Sequence, residues 1–333
     1  MHRAALVIVT PALAAANNGN WQTAHRWAAM LSNAHRVRLT DHWSEADAPL
    51  GEDLMLALHA RRSADSVDAW RRARPGAALL LALTGTDLYR DIELDAAAQR
   101  SLAAADALVV LNAYGARRLP TALQSKCHVV LQSCAARSSA PKSDAQLRAV
   151  LVGHLREEKD PRCAFRAAQR LAHRGDIAID HIGSALDAGL GREAAATAAT
   201  LPNYRWLGGL PHEETLAHIG AAHVLIHPSR IEGGAHVVVE AIRAGTPVIA
   251  SRIDGNLGLL GADHDAVFDV GDDAALARLV ERARDEPAWL QALRDRLATR
   301  APLFSPEAES AALHQLVDAL LAGRNPSLSG RSR

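Results

Sequence analysis

Lysine is almost missing from this chain. Of 333 residues only Lys126, Lys142 and Lys159 are lysine, against 34 arginines. A lysine kept in so arginine-biased a sequence stands out as a compact point charge. Cysteine is equally sparse. Cys127, Cys134 and Cys163 are odd in number and show no CxxC spacing. That excludes a disulfide framework and suits reduced, mostly buried thiols in a reducing, cytoplasmic setting. The sixteen histidines form no HExxH pattern and no Cys/His cluster, and the pair Asp272-Asp273 falls in a late loop. No metal and no cofactor is expected. A net charge is also lacking, with 37 basic and 37 acidic residues, which argues against a nucleic-acid partner. No run of about 18 apolar residues occurs, so stable membrane insertion is not expected. The start, MHRAALVIVTPALAAANNG, has the basic and apolar parts of a signal peptide. Pro11 and the Asn17-Asn18-Gly19-Asn20 turn signal favour instead a buried strand, Ala5–Thr10, and a loop.

About half the residues are apolar, enough for a substantial core, and the length suits two domains at roughly 100–200 residues each. Short apolar runs alternate with helical patterns. Strands are expected at Ala5–Thr10, Val37–Thr40, Leu54–His59, Leu79–Thr84, Ala107–Leu111 and His128–Gln132. Helices are expected between them at Trp21–Leu31, Ser63–Arg72, Asp95–Ala104 and Gly115–Leu119. Residues 134–144, small, polar and proline-containing, read as a linker. The alternation then restarts with strands Leu147–Gly153, Ile177–Ile182, Arg205–Leu207, Val224–His227 and Pro247–Ala250. Helices Arg162–His173, Leu190–Ala199, Glu213–Ala221 and Ala235–Ala244 intervene, and others follow from Asp272 to Leu321. Near-continuous apolar strands alternating with helices imply parallel sheets covered on both faces. The expected fold class is therefore α/β, with two doubly wound, Rossmann-like domains at 1–140 and 145–300 facing across a cleft. A helix at 301–321, for which packing back on the N-terminal domain is left open, and a flexible tail at 322–333 complete the chain.

Ligands of doubly wound sheets sit beyond the carboxyl ends of the strands, so the motifs there carry the most weight. The segment HPSRIEGGAHVVVEAIRAGTPVIAS, residues 227–251, is strand, loop, helix, strand. Gly233, Gly234 and Ala235 precede the helix, where backbone amides and the helix dipole favour a phosphate. Glu232 lies at the mouth of that loop and Glu240 over a turn into the helix, where a carboxylate can accept two hydrogen bonds from a sugar diol. A glycine-rich loop with two exposed glutamates is the plainer alternative. In LVGHLREEKDP, residues 151–161, His154, Arg156 and Lys159 follow a strand. Gly19 and Asn20 precede the first helix, so their amides face either an anion or nothing but solvent. The third strand ends in His59, followed by Arg61 and Arg62: a solvated pair, or a site for an anionic ligand. The fourth ends in Thr84, Gly85, Thr86 and Asp87.

The 227–251 segment resembles the E-x7-E region of GT-B glycosyltransferases of family 4, with Glu232 and Glu240 in the two glutamate positions. The resemblance implies Glu232 beside the donor sugar and Glu240 on the ribose of a nucleotide diphosphate sugar. It implies Lys159, with Arg156 beside His154 where the family has Arg, on the pyrophosphate. The family's Gly-x-Pro-Glu is here Gly255-Asn256-Leu257-Gly258, so the likeness is stronger at the nucleotide than at the sugar. The family's His-Gly-Thr-Asp is here Thr84-Gly85-Thr86-Asp87. Loss of that histidine implies an acceptor that is nucleophilic without help. From about Val7 to Gly271 the chain is similar to a narrower group, the selenosugar synthases of selenoneine biosynthesis. That resemblance implies transfer of a sugar, N-acetylglucosamine, from a UDP-sugar donor to selenophosphate. The N-terminal domain would then hold the acceptor, through His59, Arg61, Arg62, Gly85, Thr86 and Asp87, and the C-terminal domain the donor. Glu232, Lys159 and Thr84 are the implied catalytic residues, and Gly19 and Asn20 join the donor set. Two alternatives stand beside it: a family-4 transferase with a hydroxyl acceptor in glycan or glycolipid synthesis, and a non-catalytic nucleotide-sugar binder. No oligomeric partner is assigned.

Overall fold

Strand after strand in this chain is apolar on both faces, and the computed structural model shows why. It describes residues 3–13, 19–137 and 142–323. The chain divides into two compact units. One comprises the residues up to Gln132, Glu232–Gly234 and those from Pro306 on; the other comprises Ser133–Ile231 and Ala235–Ser305.

The first unit is built on a six-stranded parallel sheet of β1 (Ala5–Val9), β2 (Arg36–Thr40), β3 (Leu54–Leu58), β4 (Ala78–Leu83), β5 (Ala107–Val110) and β6 (Cys127–Val129), in the order β2-β1-β3-β4-β5-β6. Successive side chains of a strand point to opposite faces. Val7, Val9, Met55, Leu79, Leu81 and Leu108 accordingly join one buried cluster, around Trp43 and Trp70. Leu6, Ile8, Leu56, Leu80 and Val109 join another, under Trp27 and Leu31 of the helix Gly19–Leu31. The helix Pro306–Leu321 covers this second face with Leu313, Leu316, Val317 and Leu320. It is fixed by a buried carboxylate: Glu309 accepts from Arg26 Nε (2.8 Å), Arg26 Nη2 (3.0 Å) and Trp27 Nε1 (2.6 Å).

The second unit repeats the plan with β7 (Leu147–Val152), β8 (Ile177–Ile182), β9 (Tyr204–Gly208), β10 (Val224–His227), β11 (Val248–Ser251) and β12 (Val267–Phe268), in the order β12-β11-β10-β7-β8-β9. All its pairings are parallel. Connections run outward in both directions from β1 and β3 in the first sheet and from β7 and β10 in the second. Those are the points at which doubly wound sheets open a crevice at their carboxyl ends.

Several expectations shift. The first helix begins at Gly19, so Gly19 and Asn20 form its first turn instead of preceding it. The Asn17-Asn18 part of the turn signal lies outside the described residues, as do 138–141 of the linker and 324–333 of the tail. The helix expected at Gly115–Leu119 is a single 3-10 turn, Gly115–Arg118, because Pro120 cannot continue it. Gly255–Gly258, for which no element is expected above, lies inside a helix, Asp254–Leu260. Residues 134–137 are tied down within the second unit: Cys134 N donates to Phe304 O and Arg137 N to Arg243 O. Among the described residues no helix is long and apolar enough to cross a membrane.

Candidate functional site

Two loops leave the crevice end of the second sheet. The one after β7 runs from Gly153 into a short 3-10 turn, Glu157–Lys159, and then into the helix Pro161–Arg170. His154 Nδ1 accepts from Ser184 N (3.1 Å), which leaves the ring hydrogen on Nε2. Burial, and then the charges of Arg156 and Lys159, hold its pKa below that of an ordinary histidine, so it is neutral near pH 7. The Lys159 stem lies against Gly153, its Cδ 3.5 Å from where a Cβ would stand. The two crevice loops are bonded to each other. Arg230, after β10, donates its backbone N–H to Glu158 O (2.8 Å) and pairs through Nη2 with the buried Asp160 (3.1 Å).

Beyond the β10 loop, Ala235 caps the helix His236–Arg243 without a side-chain hydrogen bond, and no acidic residue stands in the first turn. Such a turn presents amides with no intrahelical partner. Glu240, 6% exposed, lies on this helix. Its Oε1 accepts from His212 Nε2 (2.8 Å) and from His236 Nδ1 (3.0 Å). Burial works against the charge of Glu240. The two imidazoles outweigh it and bring the carboxyl down to about 2. The same hydrogen bond raises the pKa of His212 against the effect of burial. His236 Nε2 meets Ser133 O (3.1 Å) from its other side.

In the first unit the loops after β3, β4 and β5 meet. His59 is held in the left-handed region (φ 73°), a conformation that costs a non-glycine residue about 1 kcal/mol. Its Nδ1 accepts from Arg62 N (3.4 Å), so Nε2 carries the hydrogen that meets Thr86 Oγ1 (3.2 Å). Burial lowers the His59 pKa, and Asp87 only partly restores it. Asp87 is fully buried and its carboxylate is occupied by backbone: Thr84 N and Gly85 N donate to Oδ1, Ala60 N to Oδ2. It fastens the β3 loop to the β4 loop. Arg61 Nε donates to Asp91 (2.7 Å), while Arg62 is exposed.

Gly233 and Gly234 have a packing reason for being glycine beside any room for a phosphate. A Cβ on Gly233 would stand 2.5 Å from the Thr84 carbonyl, and one on Gly234 2.6 Å from Leu111 Cβ. Buried Asn112 clasps this loop, donating from Nδ2 to Gly233 O (2.6 Å).

Known proteins share both the sequence pattern and the architecture. Residues 135–303, just over half of the chain, match the family described as glycosyl transferases group 1. The chain belongs to the group 1 glycosyl transferases. Curated relatives include a 2-deoxystreptamine glucosyltransferase of Streptomyces kanamyceticus, 34% identical over 41% of this chain and 36% of its own length. Another is a phosphatidyl-myo-inositol mannosyltransferase of Propionibacterium freudenreichii, 34% identical over 31% of this chain and 28% of its own. The matched stretch thus spans about a third of each relative. Among solved structures, sucrose-phosphate synthase from Thermosynechococcus elongatus superposes with a TM-score of 0.76 at 17% identity, covering 97% of this chain and 100% of that one. Anabaena HepE in complex with UDP gives 0.75 at 14% identity, covering 96% and 100%. At these identities the likeness is one of fold, and the fold is GT-B.

The group 1 segment contains His154, Arg156, Lys159, Glu232, Gly233, Gly234, Ala235 and Glu240; Gly19, Asn20, His59, Arg61, Arg62 and Thr84–Asp87 precede it. His212 and His236 were passed over in the sequence as two scattered histidines among sixteen. The signal that could have found His236 is its place four residues before Glu240, one helical turn away. One Asp-x-Asp triplet, Asp263-His264-Asp265, does occur, against the expectation of no such signature. In this group 1 transferase it is structural: Asp265 accepts from Trp289 Nε1 (3.1 Å) and pairs with Arg296, while His264 Nε2 meets Val248 O (2.8 Å). Among the described residues no cluster of three or more His, Cys, Asp or Glu could hold a metal ion.

Proposed function

We propose that this chain is a glycosyltransferase of the selenosugar synthase type, moving N-acetylglucosamine from a UDP-sugar to selenophosphate. The observation that carries the donor half is Glu240: a buried, ionised carboxylate one turn into an uncapped helix at the switch point of the second sheet. It accepts hydrogen bonding from the ribose. Lys159 and Arg156, with the first-turn amides at Ala235, offset the charge that develops on the departing diphosphate. Glu232 orients the sugar. In the transfer a selenium lone pair forms the carbon–selenium bond at the anomeric carbon. The bond from that carbon to the β-phosphate oxygen breaks, and its electron pair leaves with UDP. No proton has to be removed from the nucleophile. That agrees with Thr84 at the family's histidine position and with a neutral His59 whose nitrogens are already bonded. Arg62, exposed beside the Arg61–Asp91 pair, supplies charge for a phosphate-bearing acceptor.

A second reading keeps the donor and exchanges the acceptor for a hydroxyl. It is favoured by the names of the relatives, one a 2-deoxystreptamine glucosyltransferase and another a D-inositol 3-phosphate glycosyltransferase of Catenulispora acidiphila. The test is product mass spectrometry with a panel of UDP-sugars, each given alone, with selenophosphate, and with polyol acceptors. A selenium-containing sugar phosphate and UDP release that both require selenophosphate are expected. UDP release only with polyols moves the assignment to the second reading, and no release with any acceptor defeats both.

A further inference from the structure

The two oxygens of Glu240 are used unequally. Oε1 accepts from both His212 and His236, at 2.8 and 3.0 Å. A carboxylate oxygen offers about two lone-pair sites, so Oε1 is full. Among the described residues Oε2 accepts no hydrogen bond. Both imidazoles are anchored independently of Glu240. His236 stands at the first position of the helix His236–Arg243, and His212 opens the helix His212–Ala221, whose next residue, Glu213, pairs with Arg137. The carboxylate therefore cannot turn to present both oxygens without breaking two hydrogen bonds.

We infer that His212 and His236 are positioning residues that make Glu240 a one-oxygen acceptor, so that it recognises one hydroxyl of a bound ribose and not the diol as a pair. This rests on the reading of Glu240 as the ribose acceptor. A carboxylate clasping a diol ordinarily gives one oxygen to each hydroxyl; here one oxygen is already occupied. The pair of histidines thereby becomes a determinant of which pentose hydroxyl the site reads.

Calorimetric titration of the full chain with UDP, 2′-deoxy-UDP and 3′-deoxy-UDP tests it. One deoxy analogue is expected to bind about tenfold or more weakly than UDP, as for loss of a hydrogen bond to a charged group, and the other within about threefold. In His212→Ala/His236→Ala that discrimination should shrink, because Oε1 is released. In His212→Gln, which keeps an N–H donor, it should persist, and this second variant guards against misfolding of the first. Equal weakening by both analogues with the histidines intact overturns the inference and leaves the ribose assignment standing. No weakening by either analogue removes Glu240 from the ribose and this inference with it.

Discussion

Glu240 and Glu309 are both carboxylates sunk in the protein, 6% and 1% exposed, both on helices and both facing side-chain nitrogens. They differ in what remains of them. Glu309 has both oxygens engaged, Oε1 by Arg26 and Trp27 and Oε2 by Arg26. Glu240 has one engaged and one open. Burial and charge do not separate a carboxylate that holds a fold together from one able to hold a ligand. The count of committed lone pairs does.

The sharpest way to break this comparison is to delete each acid in turn. Glu309→Ala leaves Arg26 and Trp27 Nε1 unsatisfied in the interior, and the expected loss is about 3–5 kcal/mol of unfolding free energy, read by urea denaturation, with UDP affinity unaltered in what remains folded. Glu240→Ala should differ by weakening ligand binding. Removing a hydrogen bond between a charged group and ribose costs about 1.5–3 kcal/mol, so UDP affinity should fall about 10–100-fold in calorimetry, beside a loss of stability from the broken His212 and His236 contacts. Undiminished UDP affinity would return Glu240 to the same class as Glu309. On the proposed role of Lys159 at the departing diphosphate, Lys159→Ala should have a smaller effect, slowing turnover about tenfold and weakening UDP binding less; equal losses in both would place the lysine in ground-state binding. The smallest effect concerns pH. Because the folded pKa of His212 is raised, its ion pair with Glu240 is fully present below about 6.5 and is lost as pH rises through the raised value. The His212 side chain is 66% exposed, so the stability difference between wild type and His212→Gln should be under about 1 kcal/mol, largest in acid and fading as pH rises through the raised His212 value. For Glu240, whose carboxyl is lowered to about 2, the contribution is present above about 4.3 and disappears as pH falls toward 2.

Much of the architecture was legible because buried parallel strands need apolar residues on both faces, and runs such as Leu54–Leu58 and Leu79–Leu83 have no other use. The two-residue β12 was missed because Val267–Phe268 is too short to show any period. Asp254–Leu260 was missed because Gly255 and Gly258 look like loop residues, yet Asn256 is buried there and bonds Ser251. Candidate site residues could be named where chain order alone puts them at a strand end or in a helix, as at Lys159 and Glu240. It was not legible where partners are distant in sequence. His212 stands 28 residues before Glu240, and the glycines at 233 and 234 answer to Thr84 and Leu111, more than 100 residues earlier.

The anchoring of Pro306–Leu321 on the first sheet has a consequence for biosynthesis. When the ribosome has made the first 132 residues, one side of their sheet, with Ile8, Leu56, Leu80 and Val109, still lacks the residues Leu313, Leu316, Val317 and Leu320 that cover it. At about 5–20 residues per second those arrive roughly 10–40 s later. For that interval the nascent chain carries a greasy sheet covered only in part, by Trp27 and Leu31, the kind of surface that holding chaperones bind. Truncation before residue 306 should therefore leave a species that stays chaperone-bound or aggregates.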